Sequence, residues 1–175
     1  MTIKAYQDKL PVVGNNVFID ETAIVIGDVA LGDDVSIWPM SVLRGDVNHI
    51  RIGVRTNVQD GCVLHVTHCG EHSPDGYPLL VGDDVTVGHS VVLHGCRIGN
   101  HCLIGIGAIV MDGAVIEDEV ILGAGSLVPP RRILESGFLY IGSPARKARP
   151  LTDEEKAFFR YSASNYVSLK NDYLK

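Results

Sequence analysis

Aromatic residues are scarce in this sequence: they fill only 6% of its 175 positions, although hydrophobic residues fill 46%. The core must therefore be built mainly from aliphatic side chains, in a chain long enough for one domain. No stretch approaches the roughly 20 consecutive apolar residues of a membrane-spanning helix, and the first residues lack the apolar block of a signal peptide. We therefore expect neither a membrane segment nor a secretion signal.

The sequence also lacks runs of basic residues and closely spaced pairs of cysteines. The formal net charge is −6 at pH 7, and a chain without a basic patch is a poor candidate for binding nucleic acid. The four cysteines include no CxxC pair. This cysteine usage favours a reducing, cytoplasmic location over an extracellular, disulfide-bonded one.

The sequence does contain a six-residue repeat. An aliphatic residue recurs at every sixth position within residues 31–43, 52–64, 81–93 and 98–128. The position four residues later is usually small or β-branched, and the position one residue later is often glycine, which we expect to adopt backbone angles that other residues resist. Two inward-facing residues in six suit a short strand followed by a turn, whereas a sandwich would alternate with period two and an α/β fold would need intervening helices.

This repeat predicts an all-β fold, a left-handed parallel β-helix in which three strands close each coil of about 18 residues. Strands of successive coils would pair about 4.8 Å apart. We assign residues 1–150 to this domain, with a loop leaving it at 66–80, and residues 151–175 to a C-terminal helix that packs on it. Thr152 and Glu155 form the capping box that would start this helix.

The coil register brings two histidines together. Leu64 and Leu93 occupy the same position in successive coils, so His65 and His94 should stack in one outward column. Two imidazoles at that spacing can bind one cation with bonds of about 2.0–2.1 Å. His89 lies around a corner and is poorly placed for the same cation. In a threefold trimer, His89 of a neighbouring subunit would complete a three-histidine site with an open position, as in catalytic zinc sites.

The motifs of the chain resemble those of the γ-class carbonic anhydrase family, especially its short bacterial members. The matching motifs are the hexapeptide repeats, Arg44-Gly45-Asp46, Asn57-Val58-Gln59-Asp60-Gly61 leading to His65, and His89 followed five residues later by His94. The match is most specific over residues 24–128.

The resemblance implies a homotrimer with zinc (or iron or cobalt) bound between subunits by His65, His94 and the next chain's His89. It implies that Arg44 and Asp46 form an intersubunit pair, and that Asn57 and Gln59 belong to the active site together with that pair. The implied reaction is the reversible hydration of CO2 to bicarbonate, in which Gln59 orients the metal-bound hydroxide.

Two departures from the family pattern bear on the rate. Active family members carry proton-transfer glutamates where this chain has Val47 and His68. Because CO2 hydration must export a proton at each turnover, their absence predicts a slow enzyme. His68, His72 and Glu71 of the loop are the candidate substitutes, since histidine titrates near neutrality. Tyr166 on the C-terminal helix is expected to pack, with a contribution to the site as the second interpretation.

Two alternative functions remain open. The first is acyl transfer. Many coenzyme-A-dependent acyltransferases share this fold, and fold alone does not determine function. A non-catalytic assembly subunit, or a metal enzyme with another substrate, would also be consistent with the missing glutamates.

Overall fold

The computed structural model describes residues 2–175, and within them twenty β-strands precede one α-helix. The strands are β1 (Thr2–Lys4), β2 (Val12–Val13), β3 (Phe18–Ile19), β4 (Ile24–Leu31), β5 (Ser36–Ile37), β6 (Val42–Ile52), β7 (Asn57–Val58), β8 (Val63–His65), β9 (Leu79–Val81), β10 (Thr86–Val87), β11 (Val92–His94), β12 (Arg97–Ile98), β13 (Leu103–Ile104), β14 (Ile109–Val110), β15 (Val115–Ile116), β16 (Ile121–Leu122), β17 (Leu127–Val128), β18 (Ile133–Leu134), β19 (Phe138–Ile141) and β20 (Arg146–Pro150). The helix α1 spans Asp153–Tyr173.

Parallel pairing stacks these short strands into a three-sided solenoid. One face contains β8, β11, β14 and β17, a second contains β9, β12, β15 and β18, and the long strands β4 and β6 cross the corner between them. The third face is an eight-stranded sheet that runs from β3 to β20, in which only the final pair, β19 and β20, is antiparallel. The predicted parallel β-helix of hexapeptide repeats is confirmed.

The core follows the six-residue period. Leu43, Leu64 and Leu93 lie in register on the first face and are fully buried. On the other faces, the small residue four positions after an aliphatic one is buried as well, as Cys62 is after Val58, whereas Val47 after Leu43 is exposed. Burial raises the pKa of the Cys62 thiol to about 11, so this side chain behaves as a neutral core residue. Each coil thus buries its aliphatic edge against the coils above and below it.

The glycines that follow the aliphatic positions have a different role from the one predicted. Gly53 and Gly105 lack positive φ angles, which belong mainly to corner residues elsewhere in the coil. They are glycines because a Cβ at Gly53 would lie 2.5 Å from the backbone of Gly82, and one at Gly105 would lie 2.5 Å from the nitrogen of Ala124. Close stacking of coils, rather than unusual backbone angles, excludes a side chain there.

Helix α1 covers the third face, where it contacts β3, β5 and β10. The predicted capping box is present, since Thr152 and Glu155 exchange side-chain-to-backbone hydrogen bonds. Phe159 and Ala163 are buried against the sheet, and the ring of Tyr173 lies 5.3 Å from that of Trp38. Within residues 2–175, no helix combines the length and apolar character needed to cross a membrane.

Candidate metal centre

His65 and His94 end the neighbouring strands β8 and β11 and pair directly in the register of the sheet. Their side chains point to the same side, with Nδ1 of His65 lying 3.1 Å from Nε2 of His94. The adjacency that the repeat predicts for these two histidines is therefore present, and it follows from the parallel stacking of identical coil positions.

Each imidazole is hydrogen-bonded to a carboxylate through the ring nitrogen that faces away from the other histidine. Nε2 of His65 lies 3.1 Å from Oδ1 of Asp46, and Nδ1 of His94 lies 2.8 Å from Oδ1 of Asp112. A carboxylate accepts hydrogen bonds, so these ring nitrogens act as donors. The opposite nitrogens of the neutral rings then carry lone pairs that face each other.

Two facing lone pairs repel unless a shared electropositive species lies between them. Their 3.1 Å separation suits two ligands of one cation at bond lengths of about 2.0–2.1 Å. The side chains are largely buried, with 17% of His65 and 32% of His94 exposed. Burial lowers the pKa of His65, which disfavours a proton and keeps the imidazole available as a neutral ligand. These residues fit a bound metal ion.

Arg44 holds the carboxylate behind His65. Its guanidinium forms an ion pair with Oδ2 of Asp46, and Oδ1 of the same residue also accepts from the backbone N–H of Val47. Burial alone would raise the pKa of Asp46, but the hydrogen bonds from Arg44 and His65 outweigh it and hold that pKa below its usual value. Arg44 and Asp46 thus pair within one chain and support His65, whereas the intersubunit pairing that the resemblance implies stays a prediction.

The described residues of one chain offer no third ligand beside this pair. Among residues 2–175, no group of three or more His, Cys, Asp or Glu side chains is close enough to hold a metal ion. His89 lies in the turn that follows β10, where its Nδ1 is 2.9 Å from Oδ2 of Asp60 and about half of its side chain is exposed. The structure thus brings His65 and His94 together and leaves His89 on a separate, accessible surface.

Gln59 and Asn57 lie on the third face beneath α1. Only 6% of Gln59 is exposed, although its position one residue after an inward valine predicts a solvent-facing side chain. The reason is that the helix covers this face of the solenoid. Nε2 of Gln59 donates to Oδ1 of Asn57 over 3.2 Å, and Nδ2 of Asn57 donates to Oγ1 of Thr86 over 3.0 Å. Oγ1 of Thr86 in turn lies 2.7 Å from Oγ of Ser162 on the helix.

A cavity of about 400 Å3 adjoins this polar network and is lined in part by Thr86 and Ser162. Gln59 and Tyr166 both line it, together with the apolar side chains of Ile104, Leu122 and Phe158. Burial raises the pKa of Tyr166, so its hydroxyl stays protonated at neutral pH. The lining combines apolar side chains with a few polar groups, as small-molecule sites commonly do.

The loop candidates for proton transfer remain at the surface. His68, Glu71 and His72 are exposed on the segment between β8 and β9. Exposed groups can exchange protons with buffer, but nothing ties their side chains to the histidine pair. The assignment of a proton-transfer role to these residues stays a prediction.

The sequence predicted no role for three residues that support the histidines. Asp60 and Asp112 contact His89 and His94, and Thr67 donates to Asp112 over 2.8 Å. Asp112 follows His94 by 18 residues, which is one coil. A search one coil away from each histidine would have found it, but an aspartate before a glycine also looks like an ordinary turn residue.

Comparisons with known proteins agree with this architecture. The model of the bacterial transferase hexapeptide family (six repeats) matches residues 11–45 and 95–130. Protein YrdA of Escherichia coli K12 is 59% identical over 98% of this chain and 94% of its own length. The mitochondrial gamma carbonic anhydrase 2 of Arabidopsis thaliana is 46% identical over 93% of this chain and 58% of that protein.

An archaeal relative and a solved structure extend the match. A Methanocaldococcus jannaschii protein named "Probable carbonic anhydrase" is 40% identical over 90% of this chain and 94% of its own length. The crystal structure of a hexapeptide transferase family protein from Anaplasma phagocytophilum superimposes with a TM-score of 0.91 at 40% identity, covering 98% of each chain. The similarity thus spans the solenoid and the helix.

Proposed function

This chain belongs to the family of γ-carbonic-anhydrase-like hexapeptide-repeat proteins, and we propose that it is a metal-dependent carbonic anhydrase that hydrates CO2 reversibly to bicarbonate. The observation that carries the proposal is the pair of facing imidazole nitrogens, 3.1 Å apart, with a carboxylate behind each ring. Such backing carboxylates are typical of histidines that ligate zinc. Relatives named as carbonic anhydrases support the reaction class.

The proposed site takes His65 and His94 from one subunit and His89 from a neighbouring copy in a homotrimer. The half-exposed His89 is free to face another subunit while Asp60 orients its ring. Zinc is the favoured metal, with iron or cobalt as substitutes, because three neutral imidazoles suit all of them. When bound, the cation supplies an activated water near neutral pH.

The remaining groups would position CO2 and move the proton. Gln59, fixed by Asn57, would orient the attacking water through its side-chain amide. The apolar wall of the neighbouring cavity, with Tyr166 at its edge, would hold CO2 without hydrating it. In the absence of the family's two glutamates, His68, His72 and Glu71 would carry the proton to buffer at the surface, which predicts a modest turnover.

Stopped-flow measurement of CO2 hydration tests this function, on protein of quantified metal content. We expect hydration well above the buffer background, lost in His94→Ala. His101→Asn is the matched control, because it removes a histidine at another corner while asparagine tolerates the left-handed backbone there. Bound metal without hydration would reject the reaction and retain the site.

Acyl transfer is the second candidate, and two observations favour it. The 400 Å3 cavity is larger than CO2 needs, and a structure with a TM-score of 0.91 carries the name hexapeptide transferase. Isothermal titration with coenzyme A distinguishes the two functions. Binding of coenzyme A that persists in His94→Ala would favour the transferase, whereas no binding would leave the hydratase.

The proposed location is the cytoplasm, because all four cysteines are free and Cys62, Cys96 and Cys102 are buried as thiols. Such usage is typical of a reducing compartment.

A further inference from the structure

Asp112 connects the candidate metal ligand His94 to the loop between β8 and β9. Its Oδ1 accepts hydrogen bonds from Nδ1 of His94 and from Oγ1 of Thr67, each over 2.8 Å. Only 28% of the Asp112 side chain is exposed. Because one oxygen serves both donors, a shift of either donor alters the hydrogen bond of the other.

Thr67 lies at the stem of the loop, which is closed by Tyr77. The backbones of Thr67 and Tyr77 exchange two hydrogen bonds of 2.9 and 3.0 Å. The side chain of Asn48 donates to the carbonyl of Thr67 over 3.0 Å. The stem is therefore a short antiparallel bridge that is hydrogen-bonded to the solenoid at Thr67.

Two glycines provide the surface against which Tyr77 packs. A Cβ at Gly95 would lie 2.7 Å from Cβ of Tyr77 and 2.4 Å from Oδ1 of Asp112, and one at Gly113 would lie 2.8 Å from the ring of Tyr77. These corners of the solenoid have no room for a side chain because the loop stem and Asp112 occupy the space. The loop stem and the acceptor for His94 are thus built as one unit.

We propose that Asp112 is a positioning residue that couples the loop stem to the metal site through Thr67 and His94. This inference rests on the proposed metal site. Asp112 keeps Nδ1 of His94 protonated, so that Nε2 is presented toward His65. Thr67 keeps Asp112 in place, so an ordered loop favours metal binding.

The coupling must be reciprocal. If loop order raises metal affinity, bound metal must stabilise the loop stem by the same factor. Residues 66–78 should therefore exchange amide hydrogens more slowly in the zinc-loaded protein than in the chelated protein. A backing carboxylate that only tuned the metal would leave loop exchange unchanged.

The variants Thr67→Val and Asp112→Ala test the two hydrogen bonds separately. Valine keeps the shape of Thr67 and replaces its hydroxyl by a methyl group, which cannot donate to Asp112. We expect Asp112→Ala to weaken Zn2+ affinity about 10- to 100-fold, as loss of a backing carboxylate typically does, and Thr67→Val to weaken it about fivefold. Zn2+ affinity is measured by competition with a chelator, and loop order by hydrogen exchange with and without Zn2+.

Asp118→Ala is the matched control. Asp118 sits at another corner and accepts hydrogen bonds from Asn100 rather than from an imidazole, so its loss should change Zn2+ affinity less than about twofold. Wild-type affinity and wild-type loop exchange in Thr67→Val, in a protein that binds Zn2+, would overturn the coupling and leave the proposed function intact. A wild-type protein that binds no Zn2+ would overturn the proposed function itself.

Discussion

Two polar columns run along this solenoid, and the same coil geometry gives them different roles. The first, which we call the Asn/Asp ladder, consists of Asp33, Asp83, Asn100 and Asp118. Oδ1 of each residue accepts from a backbone N–H in an adjacent coil, for example over 2.9 Å from Asp83 to Asn100 and 2.7 Å from Asn100 to Asp118. The ladder provides acceptors for backbone N–H groups at the turns between strands, so its role is structural.

The second column contains His65 and His94, whose two rings do not hydrogen-bond to each other. Asp46 and Asp112 take one nitrogen of each ring, and the remaining nitrogens face each other at 3.1 Å. The repeat therefore supplies the spacing in both columns, and the residue type decides the outcome. In the ladder, oxygen acceptors pair with backbone N–H groups. In the second column, two imidazole nitrogens without a partner face each other and can bind a cation.

The largest difference between the columns should appear when one member of each is truncated. His94→Ala removes a ligand, so we expect metal affinity to fall by more than about 100-fold with little loss of solenoid stability. Asn100→Ala leaves a backbone N–H unpaired, so we expect a destabilisation of about 1–2 kcal/mol with metal affinity unchanged. Chelator competition and urea unfolding of both variants measure the two effects. A similar loss of metal in Asn100→Ala would remove the distinction.

Corner glycines give a second, smaller contrast. Gly95 and Gly107 both have positive φ, at 52° and 67°. Gly107 has open space where a Cβ would be, whereas Gly95 faces Asp112 and Tyr77. Gly107→Ala should therefore cost only the backbone penalty of about 1–2 kcal/mol, and Gly95→Ala a further 1–3 kcal/mol or so from overpacking. Urea unfolding compares them, and equal losses would mean that the loop stem yields freely.

The smallest contrast is in pH dependence. Burial lowers the pKa of His65 from its ordinary value of 6.5, so the unfolded state takes up protons first and stability falls as pH drops below that value. Asp34 lies next to the ladder residue Asp33, and the hydrogen bond from Lys170 lowers the pKa of Asp34 from 3.8. The stability that this carboxylate contributes is therefore complete above pH 3.8 and is lost only below it.

Urea unfolding of the metal-free protein between pH 7.5 and 3.5 separates the two contributions. His65→Gln should reduce the loss of stability that begins below about pH 6.5, and Asp34→Asn the loss below about pH 4, each changing the free energy of unfolding by less than about 1 kcal/mol. If His65→Gln left the pH dependence of stability below about pH 6.5 unchanged, burial of a neutral His65 imidazole would be contradicted.

The sequence predicts the solenoid and the adjacency of His65 and His94 because both follow from one period. Any residue after an inward leucine has a neighbour one coil away, and the excursion between β8 and β9 does not disturb that register. The capping box of α1 was equally accessible, because it is a local pattern. The family was recognisable from short motifs around the histidines.

The environment of Gln59 could not be predicted in the same way. Its outward direction follows from the period, but its burial depends on which face α1 covers, and that is a tertiary choice made by Phe159 and Ala163. Asp112 escaped notice because its partner lies one coil back rather than nearby in sequence. The role of the repeat glycines was misjudged because close backbone stacking is not visible in a single coil.

A subunit-mixing experiment tests the shared site most directly. His89→Ala and His94→Ala are each expected to lose Zn2+ and hydratase activity. In mixed trimers, a His89→Ala subunit still offers His65 and His94, and a His94→Ala subunit still offers His89, so random assembly should restore roughly a quarter of the sites. Restored Zn2+ and activity in co-expressed mixtures is the predicted result. Verified mixed trimers that bind no Zn2+, or full Zn2+ binding by His89→Ala alone, would contradict a site shared between subunits.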